Sequence, residues 1–243
     1  MMILFKALVC IGALVYFIGA VPFYYVHFLC TQGKSKSALT FLSRHFASWC
    51  LFLFRIRVIS INREIVDQID WTRPVFFVGN HQSYTDIPVL LKGANHHLGF
   101  LAKKELDKIP LLGFWIKQGG GILIDRKKFL ATLKTIQRLA QAGRIFHIVV
   151  FPEGTRSKDG QIADFKTGGL SVAWNLEAQV IPFYIENSRS AWEDRKGYAS
   201  KNVEIRFAPI VDWKEAKTES KLDEAVLNLR NVVLKLESEA KNV

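Results

Sequence analysis

From residue 74 onward, short runs rich in β-branched and aromatic residues recur, most of them separated by stretches of helical periodicity, and this alternation restricts the fold more than any other feature of the chain. The runs are PVFFVGN (74–80), HLGFLAK (97–103), GILIDR (121–126), FHIVVFP (146–152), VIPFYIE (180–186) and VEIRFAPI (203–210). Each has a strand's length and composition. Helices are expected over Phe129 to Ala142, Phe165 to Ala178 and Lys221 to Ala240. In the last of these Leu222, Val226, Leu229, Val233 and Leu236 recur every three or four residues, while Asp223 and Glu224 sit off that stripe near the helix start. Strands alternating with helices need crossover connections, so the expected class is α/β, a largely parallel sheet covered by helices. In such folds chemistry gathers at the carboxyl ends of strands.

The first sixty residues read differently. From Ala7 to Cys30 there is no Asp, Glu, Lys or Arg, over a length that matches the roughly 20 residues a helix needs to cross a bilayer. The run is longer than a usual signal-peptide core, and an all-round apolar segment has little to bury against at a terminus. Pro22 leaves open whether it spans or bends back within one leaflet. Tyr16, Tyr24 and Tyr25 suit interfacial anchoring, and Lys34, Lys36, Arg44, Arg55 and Arg57 outnumber the preceding Lys6, which predicts a cytoplasmic placement for the remainder of the chain. A second apolar stretch, Ala38 to Val58, carries Arg44, Ser48 and Arg55 at spacings of four and seven, the pattern of an interfacial amphipathic helix. The expected organisation is an N-terminal membrane-associated helical segment, residues 1–60, followed by one folded domain, 61–243; no repeat or linker marks another.

Lys and Arg outnumber Asp and Glu by 33 to 22, a formal charge of +11, which draws a protein to anionic lipid headgroups, phosphorylated substrates or nucleic acid without choosing among them. Cys10, Cys30 and Cys50 lack the close spacing of a zinc site or disulfide framework. The polar motifs are more selective. VFFVG runs into Asn80-His81-Gln82-Ser83-Tyr84-Thr85-Asp86, a histidine at a strand end with a carboxylate five residues on. If the chain turns into a helix there, Asp86 can fix the imidazole tautomer so that the other ring nitrogen takes a proton. The same spacing also fits a capped helix start beside a satisfied loop histidine. Downstream, Phe151-Pro152-Glu153-Gly154-Thr155-Arg156-Ser157 follows another strand and GILIDR ends on Asp125-Arg126. Two arginines at strand ends suit an anionic headgroup.

A serine hydrolase is the obvious rival, because Gly169-Leu170-Ser171-Val172-Ala173 nearly matches a nucleophile elbow. All six histidines precede Ser171, however, whereas that fold places its catalytic histidine after the serine. Ser171 therefore reads as a small packing residue. No metal site is expected, since His96 and His97 are adjacent and cannot easily face one ion. Nucleic-acid binding rests on net charge alone and explains none of the strand-end motifs.

NHQSYTD, GILIDR, FPEGTRS and VIPFYI, in this order, resemble the four motif blocks of the lysophospholipid acyltransferase superfamily, most closely its bacterial 1-acylglycerol-3-phosphate acyltransferases. The resemblance continues through AKKEL (102–106), IPLLG (109–113) and DFKTGG (164–169) and covers roughly Val75 to Glu186; one departure is Leu123, where the second block often has an aromatic residue. It implies that 61–243 is an acyltransferase domain with His81 as general base and Asp86 as its orienting carboxylate. It assigns Arg126, Glu153, Gly154, Thr155 and Arg156 to substrate binding. No metal or cofactor is implied; the co-substrate is an acyl thioester of coenzyme A (acyl-CoA) or of acyl carrier protein (acyl-ACP), and the acceptor is a lysophospholipid among membrane lipids. The implied reaction acylates the sn-2 hydroxyl of lysophosphatidate to phosphatidate, at the bacterial inner membrane with the catalytic domain on the cytoplasmic side. Acceptors such as glycerol 3-phosphate or a lyso-ornithine lipid, and a non-catalytic lipid-binding role, stay open, although an intact His81/Asp86 pair speaks against the last.

Overall fold

The computed structural model describes residues 2–30, 36–109, 113, 116–117, 119–197 and 199–242. Its strands are β1 (Ile56–Ile61), β2 (Val75–Gly79), β3 (Gly99–Lys103), β4 (Ile122–Ile124), β5 (His147–Val150), β6 (Gln179–Glu186), β7 (Lys201–Phe207) and β8 (Val211–Asp212). They form one sheet in the order β1-β7-β6-β2-β5-β3-β4, with β8 on β6. The β2/β5, β2/β6, β3/β5 and β3/β4 pairs are parallel, and β6/β8 is antiparallel. The α/β class with a mostly parallel sheet is therefore as the alternation requires. The chain divides into two compact units, Met1–Ile59 with Ser83–His97 and Asn187–Glu204, and Ser60–Gln82 with Leu98–Glu186 and Ile205–Val243.

In the second of these units β2 is buried along its whole length, Val75 to Val78 showing no exposure. That is why its sequence is apolar without alternation: both of its faces are covered. Phe76 and Val78 join a core with Ile148 and Val150 of β5, Leu170 and Val172 of a helix at Thr167–Asn175, and Leu229, Val233 and Leu236 of a long helix at Leu222–Lys241. Each such side chain contributes about 1.5–3 kcal/mol by leaving water. Phe77 points the other way and meets the Phe207 ring edge-on at 6.2 Å. Ser171 lies inside the Thr167–Asn175 helix, its hydroxyl donating to the Gly168 carbonyl at 2.8 Å.

A two-residue strand and a short helix at Trp213–Glu219, neither expected from the sequence, close this unit through Asp212. Its carboxylate receives Arg73 Nη1 at 2.6 Å and Nη2 at 2.9 Å and also caps the helix by accepting the Lys214 N–H at 2.9 Å. The Arg73 hydrogen bonds hold the Asp212 carboxyl below its ordinary value of 3.8. A depressed carboxylate stabilises the folded state above the unfolded-state value and loses that contribution as pH falls through the folded-state value. Asp212→Asn, which keeps a capping oxygen, is expected to cost about 1 kcal/mol at pH 7, a partly exposed pair being screened. Urea unfolding at pH 7 and again below pH 3.8 checks this: the gap between the two proteins closes at the acidic end.

In the first unit α1 (Met2–Cys30) packs on α2 (Lys36–Leu53), and α2 on a helix at Asp86–Ala94. The Tyr16 ring lies 5.7 Å from Phe46 and 5.4 Å from Trp49, and a Cβ on Gly12 would stand 3.0 Å from the Trp49 ring. On α1, Leu4, Leu8, Ile11, Val15 and Ile18 are more than half exposed. Among the described residues no helix is long and apolar enough to cross a membrane.

The single amphipathic helix expected over Ala38 to Val58 is not what forms. The helix stops at Leu53, Arg55 adopts a left-handed φ of 53°, and Ile56 begins β1. Four of the six residues of IRVISI, Ile56, Val58, Ile59 and Ile61, are β-branched, which a pleated strand accommodates. The Arg55 carbonyl accepts the Lys201 N–H at 2.9 Å and the Ser200 hydroxyl at 3.1 Å. Arg55 therefore does not share a helical face with Arg44 and Ser48.

Candidate functional site

Parallel neighbours end on one edge of a sheet, so β2, β5, β3 and β4 bring their carboxyl ends together in the second unit. His81 follows β2, the 151–157 segment follows β5, and Asp125 with Arg126 follows β4. At about 4.8 Å per strand the ends of β2 and β5 are adjacent, while β4 stands roughly 14 Å from β2.

Gly79 closes β2 opposite Phe183 of β6, where a Cβ would stand 2.2 Å from the Phe183 carbonyl oxygen, so only glycine fits. Asn80, 1 % exposed, then prolongs the pairing with its side chain: Oδ1 accepts the Ile185 N–H at 2.7 Å and Nδ2 donates to the Ile185 carbonyl at 2.9 Å. His81 is thus delivered to the sheet edge from a fixed base. Its ring stacks on Phe151, centroids 4.0 Å apart and planes at 16°, and Phe151 in turn meets Phe183 edge-on. Its N–H donates to Glu153 Oε1 at 2.8 Å, and its carbonyl accepts the Ser157 N–H at 2.8 Å. The buried Gln82 reaches the Gly160 carbonyl at 3.4 Å and donates to the Tyr184 hydroxyl. Burial, with Glu186 bonded to the phenol, pushes the Tyr184 hydroxyl well above the usual tyrosine range.

The 151–157 segment is itself a tight turn. Gly154 takes a left-handed φ of 73° and its N–H returns to the Phe151 carbonyl at 3.1 Å, a conformation that favours glycine. Glu153 is 2 % exposed; its second oxygen accepts the Ala163 N–H at 3.2 Å, and its carbonyl receives Lys166 Nζ at 2.8 Å. Thr155 is exposed and Arg156 half-buried. Asp125 accepts the Lys127 N–H at 3.0 Å and pairs with Lys104 at 3.4 Å; burial works to raise its carboxyl, but these bonds bring it below its ordinary value. It thereby anchors the turn that starts at Arg126, whose side chain lies outside the described ones.

Asp86 belongs to the first unit and opens its Asp86–Ala94 helix. It is fully buried, and its Oδ2 accepts the Ser83 N–H at 2.9 Å, a capping contact that the sequence spacing allows. Thr85 donates its N–H to the Ser83 hydroxyl at 3.0 Å, and Tyr84 its N–H to Glu193 at 3.1 Å. A carboxylate at a helix N-terminus is favoured by the helix dipole. Of the two adjacent histidines weighed for a metal, His97 meets the Ser43 hydroxyl at 3.1 Å; elsewhere His147 meets the Trp71 carbonyl at 3.1 Å.

The structural parts of Asn80, Gln82, Phe151, Ser157 and Lys166 were not readable from the sequence. Asn80 stood beside His81 in the motif, but nothing local says that its amide faces a residue 105 positions away.

Residues 57–186 match the family model described as Acyltransferase. The chain is 35% identical over 132 residues to a 1-acyl-sn-glycerol-3-phosphate acyltransferase of Helicobacter pylori, covering 53% of this chain and 54% of that one. It is 30% identical over 158 residues to one of Cocos nucifera, covering 60% and 49%. It spans about half the length of the curated relatives it matches. Among solved structures, the 1-acyl-sn-glycerophosphate (LPA) acyltransferase PlsC of Thermotoga maritima superposes with a TM-score of 0.70 at 25% identity, covering 95% of each chain.

Proposed function

This chain belongs to the Acyltransferase family, and on that premise we propose that it transfers a fatty acyl group from an acyl thioester to the sn-2 hydroxyl of lysophosphatidate, giving phosphatidate. The observation that carries this reading is the mounting of His81 at the carboxyl end of β2 by the arginine-bearing segment at the end of the adjacent β5. A base and an anion-binding group on neighbouring strand ends suit a phosphorylated acceptor. The relatives' names agree with that acceptor.

The chemistry needs no acyl-enzyme. His81 takes the proton of the acceptor hydroxyl as its oxygen attacks the thioester carbonyl. The carbon–sulfur bond then breaks, and the thiolate leaves and takes up a proton. Asp86 orients His81, an assignment that rests on their five-residue spacing within the NHQSYTD motif. Arg156 and Arg126 hold the glycerophosphate, with Gly154 and Thr155 bordering it. Acyl-CoA and acyl-ACP both fit as donors. The exposed apolar residues of α1 and the positive charges that come after it support attachment to the cytoplasmic side of a bacterial inner membrane.

The test is an acceptor panel. Purified protein in detergent is given labelled acyl-CoA or acyl-ACP with lysophosphatidate, glycerol 3-phosphate, a lyso-ornithine lipid or no acceptor. Labelled phosphatidate is the expected product; transfer only to another acceptor, or to none, overturns the assignment.

A further inference from the structure

We infer that Glu153 is a positioning residue for His81, acting through the backbone, and does not ligate the glycerophosphate; this rests on the acyl-transfer reading for its kinetic consequence and on geometry alone for its structural one. The Glu153 carboxylate is 2 % exposed, and both of its oxygens face main-chain N–H groups of the same unit, His81 at 2.8 Å and Ala163 at 3.2 Å. One carboxylate thus ties the strand-end histidine to the loop that returns from the 151–157 turn. Lys166 closes that loop by donating its N–H to the Pro152 carbonyl at 3.0 Å and its ammonium to the Glu153 carbonyl at 2.8 Å. With the Ser157 N–H on the His81 carbonyl and Phe151 beneath the ring, residues 151–157 hold His81 at its N–H, its C=O and its imidazole.

A substrate ligand has to present free acceptor or donor capacity to solvent before substrate arrives. A buried anion facing two amides is instead suited to fixing a loop, because an ionised acceptor makes the stronger hydrogen bonds. Repulsion between this carboxylate and a substrate phosphate argues in the same direction. Arg156, three residues on, has the charge that a phosphate calls for.

The division of labour is read by steady-state kinetics on Glu153→Ala, the near-isosteric Glu153→Gln, and Arg156→Ala. Glu153→Ala should lower kcat by about 10²-fold, the scale set by an ångström of misplacement of a catalytic group, with KM for the lyso-acceptor held within twofold. Glu153→Gln keeps one acceptor oxygen and should lose less, again in kcat. Arg156→Ala should raise KM. A Glu153 variant that raises KM at unchanged kcat, or leaves both unchanged, overturns the inference. A second readout needs no turnover: selective ¹⁵N-histidine labelling gives six backbone amide signals for the six histidines, and Glu153→Gln should shift the His81 amide upfield while Arg156→Ala leaves it in place. An unmoved His81 amide overturns the positioning role even if the protein acylates nothing. A moved amide in a protein without transfer overturns only the proposed reaction.

Discussion

His81→Ala is expected to lower kcat for acyl transfer by about 10³-fold, within the 10²–10⁴ range of a positioned general base, while the protein stays folded. Two of the contacts that hold the residue survive the substitution. The N–H to Glu153 and the carbonyl from Ser157 belong to the backbone. The stacking on Phe151 is lost with the ring, worth about 1 kcal/mol beyond the area involved, and so is the proposed orienting pairing with Asp86. The expected signature is therefore a large kinetic defect with a small stability change. Single-turnover transfer of a labelled acyl chain, alongside thermal unfolding of the same preparation, measures both. Activity within tenfold of the parent would remove His81 from the chemistry and leave the strand-end cluster as a binding site. Collapse of the fold would instead contradict the account of how the loop is held.

Features of this fold are legible in the sequence where the interactions behind them are local. The six expected strands after residue 74 appear as β2 to β7, and in β2, β5 and β6 the apolar runs are themselves the physical cause of burial on both faces of the sheet. The long C-terminal helix appears for the same reason, its stripe being the face that packs in the core. β1 was not legible because IRVISI is apolar enough to prolong the preceding helix; the left-handed Arg55 breaks it, and only strand pairing explains the hexapeptide. The site divides in the same way. Histidine at a strand end and arginines after neighbouring strands are short-range patterns, whereas the Glu153 bond to His81 joins residues 72 apart and the Asn80 bonds span 105. Resemblance places Glu153 on the substrate because no pattern in FPEGTRS reveals that its carboxylate turns back toward His81.

Asn80→Asp should be the most damaging single-atom change in this part of the molecule. The wild-type amide matches Ile185 at both ends, its oxygen toward the N–H and its nitrogen toward the C=O, and at 1 % exposure no water can substitute. Aspartate keeps the first bond and replaces the second donor by an oxygen facing the Ile185 carbonyl. The buried ionised form then carries both a desolvation cost and an unpaired acceptor, together about 3 kcal/mol at pH 7. The sign with pH distinguishes this from loss of packing. Repulsion and burial raise the folded-state value of the new carboxyl above its unfolded value of about 3.9, so the penalty grows as pH rises between the two and disappears below the lower one. A protonated aspartic acid can donate to Ile185 as the amide does. Asn80→Ala loses both bonds and should cost about 2 kcal/mol at every pH. Denaturant unfolding of the three proteins at pH 4 and pH 7 therefore has an expected crossing: aspartate is the less stable variant at pH 7 and the more stable at pH 4. An Asn80→Asp protein as stable as the parent at pH 7 would mean that the Asn80 side chain does not pair with β6, and with it would go the rigid base from which β2 presents His81.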